Sequence, residues 1–169
     1  MPAPNPKPYT DSDSIIISEA DFSLADTYAR LRQTQNAAAI CMFTGLVRDW
    51  QDATPKGEGK PTPIVSLTLE CYPAMTHAKL AEIRTQAISR WQLIHAIIIH
   101  RIGRLLPHDQ IVLVATAAHH RQPAIDAANF IMDYLKTEAP FWKAEETPDG
   151  TNWVEERDSD KQAAEGWKK

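Results

Sequence analysis

Long apolar runs are missing from this chain. No stretch reaches the ~18 residues that would cross a bilayer as a helix. The proline-rich opening, Met1 to Thr10, has no apolar centre and does not read as a signal peptide. These two absences point to a cytosolic protein with a short disordered leader over residues 1–14. An excess of basic residues is missing too. Lys and Arg number 18 against 22 Asp and Glu, and the net charge of −4 argues against a general nucleic-acid binder. It leaves room for a local basic pocket, because net charge is silent on clustering. Cysteine is scarce: Cys41 and Cys71 stand in apolar, strand-like surroundings and are expected to be free, buried thiols. Lys56-Gly57-Glu58-Gly59-Lys60 lacks the glycine and lysine spacing of a phosphate-cradling loop. His119 and His120 have no Cys or carboxylate at regular ligand spacing, and neighbours on an extended strand point to opposite faces, so no metal is expected. No internal repeat is visible.

What is present fits one globular domain, residues 15–169. The chain has 169 residues, 43% hydrophobic and 24% charged, enough to bury a real core. Ile15-Ile16-Ile17 reads as a strand, and Ser23 caps a helix whose stripe is Leu24, Tyr28 and Leu31. Ala37 to Val47 reads as a buried strand running into a loop, and residues 49–63, rich in Pro, Gly, Lys and Asp, as a mobile loop. Ile64 to Cys71 alternates with a period of two, a strand with one buried face. Pro73 opens a helix to Trp91 with Met75, Leu80, Ile83, Ala87 and Trp91 inward. Leu93–His100 and Ile111–Ala118 are strands joined by a short connection and therefore an antiparallel pair. Pro123 to Glu138 is a second long helix, with Ile125, Ala128, Ile131, Met132 and Leu135 inward and Pro140 ending it. Phe141–Thr147 and Thr151–Glu155 flank a Pro148-Asp149-Gly150 turn. A polar helix, Ser159 to Trp167, follows. The pattern is α+β, with a mainly antiparallel sheet and two long helices. At least two of Phe141, Trp142 and Trp153 are expected in the core.

Three segments concentrate cations beside loop signals: Gly45 to Arg48 at a strand end, His119-His120-Arg121 where a strand meets a helix, and Lys136 to Lys143 across a helix end. Strand ends and helix termini are where loops converge on a ligand. Arg offers a planar fork for phosphate, and Lys a point charge that also serves as acid, base or nucleophile. Backbone N–H groups opening the helix at Arg121 add partial positive charge. The residues alone therefore give an oxyanion site, for a phosphate ester, drawn from these three segments; Arg48, His120, Arg121 and Lys143 are expected to converge on one anion pocket. Taken singly, each of these side chains reads as a solvated surface charge.

The tract Phe130 to Lys143, FIMDYLKTEAPFWK, resembles the signature of the molybdopterin synthase catalytic subunit, the MoaE family. Phe43-Thr44-Gly45-Leu46-Val47-Arg48 resembles its F-T-G-x-V-R, and Leu69 to Met75 its L-E-x-Y-x-x-M. His100-Arg101-Ile102-Gly103, with Pro107 and Asp109, resembles its H-R-x-G-x-x-x-x-G-D. The likeness runs in order over roughly residues 37 to 167.

This resemblance implies an α/β hammerhead fold with a small appended β subdomain. It also implies a sulfurtransferase that converts cyclic pyranopterin monophosphate to molybdopterin without a cofactor. Sulfur arrives as a thiocarboxylate on the Gly-Gly tail of a small ubiquitin-like partner, and the catalytic chain is a homodimer with one partner at each end, a heterotetramer. By the same resemblance Lys136 is the central catalytic lysine and Lys143 the second. Arg48, with Val47 and Leu46, His120 and Arg121, Ala144 and Glu145, and Arg157 fall at substrate-binding positions. Phe43, Met132 and Phe141 match the lining of the tail channel. Burial and neighbouring cations are expected to fit Lys136 for acid–base work. The chain departs from the family with Leu46 where Lys is common, His108 where Gly is usual, and a longer loop at 49–63. Two rival readings stand beside this one. One is an anion-binding adaptor without catalysis, against which Lys136 and Lys143 speak. The other is a persulfide carrier at Cys41, disfavoured by its apolar strand.

Overall fold

The computed structural model describes residues 7, 9–51, 61–154 and 158–168. Its elements are β1 Ile15–Ser18, α1 Leu24–Leu31, β2 Ala39–Leu46, β3 Trp50–Gln51, β4 Thr62–Pro63, β5 Ser66–Cys71, α2 Pro73–Trp91, β6 His95–Arg101, β7 Gly103–Leu105, β8 Gln110–Ala118, α3 Arg121–Glu138, β9 Phe141–Thr147, β10 Gly150–Trp153 and α4 Asp158–Gly166. Two four-stranded sheets organise them. The first runs β1-β6-β8-β2, the second β10-β9-β5-β7, and β3 pairs with β4 alone. All pairings are antiparallel except β1 with β6. This is the expected α+β architecture, with the second sheet as the smaller β unit.

Strands β6 and β8 are apolar on both faces because the first sheet is covered on both sides. On one face Ile98, Val112 and Val114 pack against Leu80, Ile83 and Ala87 of α2 and Ile131 and Leu135 of α3. On the other, Ile97, Ile99, Leu113 and Ala115 meet Leu31 of α1. Fully burying a side chain such as Leu80 or Ile131, both at 0% exposure, stabilises by roughly 1.5–3 kcal/mol. Local chemistry fixes the helix ends. Ser23 Oγ accepts from Asp26 N–H at 3.1 Å to cap α1. Pro73 occupies the first turn of α2, and Ala139, extended before Pro140, terminates α3. No described helix is long and apolar enough to cross a membrane.

Several expectations require correction. Residues 9–14, assigned to the leader, are structured although Thr10, Asp11 and Ser12 stay exposed: Asp11–Asp13 form a 3-10 turn, Ser14 is fully buried, and Arg30 stacks over Tyr9 at 3.5 Å. Residues 1–6 of that leader lie outside the described residues. The loop at 49–63 is paired at its ends through β3 and β4, and 52–60 lie outside the described residues. Gly103–Leu105, read as a connection, is a strand that carries the chain into the second sheet. β2, expected to be buried, is an edge strand and half-buried, and both free cysteines are half-buried rather than buried. Leu24, Tyr28, Met75 and Ile125 are exposed although the helical stripes placed them inward. Thr27, Thr76 and Ala124 take the inward positions instead, because neighbours in the fold decide which side of a stripe is covered.

Candidate functional site

Three chain segments supply most of the site residues of a cavity of about 420 Å³ in the crease between the two sheets, with β5, β6, β8 and α4 also contributing to its lining. The end of β2 supplies Phe43, Gly45, Leu46, Val47 and Arg48, the last turns of α3 supply Met132 and Lys136, and β9 supplies Phe141, Lys143 and Glu145. Alternation along β9 explains that last set. Phe141, Lys143 and Glu145 oppose Cys71, Leu69 and Leu67 of β5, so all three point to the inner face. Ala144 is buried on the opposite face and does not line the cavity. Gly45 is required where it stands, since a Cβ there would lie 2.9 Å from Val112 Cγ1.

The electrostatics are mixed. Lys136 Nζ lies 3.5 Å from Asp160 Oδ1 of α4, and its side chain is 46% exposed. The burial expected around this lysine is therefore replaced by an open setting, with a carboxylate beside it. Arg48 Nη2 lies 3.6 Å from Glu145 Oε1, and Gln51 Nε2 donates to Glu145 Oε2 at 3.2 Å. Glu145 is nearly buried, which makes these partners necessary to it. Among the described residues three cations thus share the cavity with two carboxylates. Val47 is a core residue whose backbone anchors the strand end: its N–H donates to Asp109 O and its carbonyl accepts from His108 N–H, both at 2.9 Å. Leu46 and Phe43 are exposed at the cavity rim, at 51% and 43%.

His120 and Arg121 are not part of this arrangement. They sit exposed at the N-terminal end of α3, whereas Lys136 lies in its last turn. Fifteen residues at ~1.5 Å each separate Arg121 from Lys136 by about 22 Å along the axis. The expected convergence of Arg48, His120, Arg121 and Lys143 is therefore not made within one chain. Arg157 lies outside the described residues. Trp142 and Trp153, at 52% and 64% exposure, are on the surface, and Phe141 alone turns inward. Burial raises the Cys41 thiol above its ordinary range, against a thiolate there.

Two cavity residues were not singled out from sequence. Asp160 carried no signal, since a carboxylate in a polar helix looks like any solvated charge. His100 was visible only as a motif letter. It is 2% exposed, at the end of β6, and its ring stacks on Phe141 with centroids 3.7 Å apart and planes at 15°. Its Nδ1 lies 2.8 Å from Arg101 O. Burial, with a smaller push from Lys143, brings its pKa down to about 4, so the imidazole is neutral at pH 7.

Fold and cavity together define an α+β protein with a cation-bearing site between two sheets. Residues 17–138 match the family model described as MoaE protein, and the chain belongs to that family. It is 46% identical over 153 residues to the molybdopterin synthase catalytic subunit of Salmonella typhimurium strain LT2, covering 90% of this chain and 97% of that one. Among solved structures it is similar to the molybdopterin biosynthesis MoaE protein of Burkholderia ambifaria, at 43% identity and TM-score 0.75, over 92% of this chain and 98% of that one. It is also similar to molybdopterin synthase from Staphylococcus aureus, at 28% identity and TM-score 0.71, over 87% of this chain and 99% of that one.

Proposed function

We propose that this chain is the catalytic subunit of a molybdopterin synthase, acting in molybdenum cofactor biosynthesis. It takes sulfur from the thiocarboxylated Gly-Gly terminus of a small ubiquitin-like carrier and delivers it to cyclic pyranopterin monophosphate, building the dithiolene. The observation that carries this reading is the approach of Lys136 and Lys143 to one cavity from opposite sides of the α3–β9 junction, with Arg48 beside them. Releasing sulfur from an acyl carbon passes through an oxyanion, and fixed cations aimed at that charge stabilise it. Lys136 is the residue we assign to the reacting carbonyl, and Lys143 the second catalytic lysine.

A Gly-Gly tail suits the approach. Glycine lacks a Cβ and threads a narrow channel, while an extended tail gains backbone hydrogen bonds along its length. Phe43, Met132 and Phe141 supply apolar walls to that channel. The cyclic phosphate of the substrate is a diester with one negative charge, and among the described residues the three cations at the cavity already share space with Glu145 and Asp160, a thin complement even for that. A second copy of the chain supplies the deficit in our reading: its His120, Arg121 and α3 N-terminus close over the cavity of the first. The chain then works as a homodimer, with one carrier at each end.

The test mixes purified protein with pyranopterin monophosphate and thiocarboxylated carrier and measures dithiolene product. Lys136→Ala is expected to abolish turnover without lowering the melting temperature, and near-normal product from a folded Lys136→Ala protein refutes the assignment. A carrier shortened by its two terminal glycines is expected to lose delivery and most of its affinity. Equal binding of the shortened carrier would remove the tail from this site and favour the adaptor reading.

A further inference from the structure

The two sheets that bound the cavity touch through an unusual pair. His100 belongs to β6 in the first sheet and Phe141 to β9 in the second, and their rings lie flat against each other at 3.7 Å. Among the described residues no other aromatic pair bridges the sheets. The imidazole is also fixed about its own axis. Arg101 O accepts only, so the 2.8 Å contact puts the proton on His100 Nδ1 and leaves the lone pair on Nε2. Phe141 sits two residues before Lys143 on the same face of β9 and five residues after Lys136. One ring thus stands at the junction from which both lysines project, and one imidazole, also at the cavity wall, braces that ring.

We propose that His100 is a positioning residue for the sulfur-transfer site, acting through Phe141 to hold the start of β9 and the Lys143 ammonium in register with Lys136. The proposal rests on the function given above. It needs a flat, uncharged ring at residue 100. A flat ring, because stacking fixes the tilt of Phe141 as well as its position, whereas an aliphatic side chain fixes only contact. An uncharged ring, because Lys143 lies close enough that a second cation would be repelled. Buried and hydrogen-bonded through Nδ1, the imidazole satisfies both conditions at neutral pH. Since errors of about 1 Å in placing a catalytic group cost on the order of 100-fold in rate, loosening Phe141 should be felt in turnover before binding.

His100→Phe keeps a flat neutral ring and gives up the bond to Arg101 O, and His100→Leu keeps apolar bulk and gives up the stack. Single-turnover sulfur transfer, KM for the pterin substrate, and the acylation rate of Lys143 by a small amine-reactive ester, read by mass spectrometry, are compared with melting temperature. We expect His100→Leu to lower kcat at least tenfold with KM changed less than threefold. Its Lys143 acylation rate should shift at least threefold, and His100→Phe should restore most of both. Wild-type kcat and wild-type acylation in folded His100→Leu overturn the proposal, as does equal loss in both variants that follows melting temperature alone. If His100→Leu does not fold, His100→Met, which also keeps apolar bulk and gives up the stack, replaces it, with the same expected split. If the wild-type protein makes no dithiolene, the functional reading fails, while the Lys143 acylation comparison still decides the role of His100.

Discussion

His108 occupies a backbone conformation that disfavours any side chain, and replacing it by glycine should stabilise the protein. Asp109 N–H donates to Leu106 O at 3.0 Å across Pro107-His108, and His108 has φ 72°. Proline at the second position and positive φ at the third are the marks of a type II turn, whose third position favours glycine. A Cβ in the left-handed region costs roughly 1–2 kcal/mol. Glycine offsets part of the relief, because its extra freedom in the unfolded chain costs roughly 0.4–1 kcal/mol. The net expectation for His108→Gly is a gain of about 0.5–1 kcal/mol. For a chain of 169 residues, unfolding entropy near ~2.1 cal/mol/K per residue converts this to a rise of about 2 °C in melting temperature. Urea unfolding of His108→Gly, His108→Ala and wild type separates the Cβ from the imidazole, since alanine keeps the strain and loses the ring. Glycine should exceed alanine, and activity should be retained because the bonds joining this turn to Val47 use only backbone atoms. A His108→Gly protein no more stable than His108→Ala would refute the strain argument.

Leu46 stands exposed at the cavity rim where a cation would face an incoming phosphate. Leu46→Lys should lower KM for the pterin substrate about two- to fivefold at low salt, an effect worth up to ~1 kcal/mol that fades as salt rises. Asp13 is held at a pKa of about 2: burial, which would raise it, is outweighed by the Thr10 hydroxyl, the Thr10 N–H and the Arg30 guanidinium. A depressed carboxylate contributes stability above its unfolded pKa and loses it as pH falls through the folded value. The wild type should therefore exceed Asp13→Asn in urea midpoint at pH 6, with the difference shrinking between pH 4 and 2. Arg121→Ala and Lys136→Ala proteins, each poorly active alone, should regain activity when mixed and allowed to exchange subunits, because one mixed dimer carries an intact site. No recovery after demonstrated exchange would place Arg121 outside the site.

The sequence made the central strands and long helices legible for one physical reason. β6 and β8 are apolar on both faces, and proline fixes where α2 begins and α3 ends. What it concealed depended on partners distant in the chain. Nothing local in Leu24 or Tyr28 says that α1 meets the sheet mainly through Thr27 and Leu31. Nothing local in Trp142 and Trp153 says that their sheet face is uncovered, and aromatic bulk alone favoured the core. Asp11 and Asp13 looked like a solvated leader until Arg84 and Arg30, far along the chain, provided partners.

The site divides the same way. Its cations were legible because Arg48, Lys136 and Lys143 stand in tracts long enough to carry a family resemblance. The carboxylates facing them were either unassigned or given no pairing, because a counter-ion is defined by where it lands. That pairing bears on how the two reactants are held. A carrier tail presents little bulk and one terminal charge, and the channel wall proposed for it, Phe43, Met132 and Phe141 ending at Lys136, lies within one chain. A cyclic phosphate diester brings one charge to cations already matched with Glu145 and Asp160. The length of α3 keeps His120 and Arg121 of the same chain too far away to help. In the proposed arrangement tail binding is a property of the single chain and tight phosphate binding a property of the pair, so dilution into monomers should weaken the pterin substrate while leaving carrier affinity largely intact.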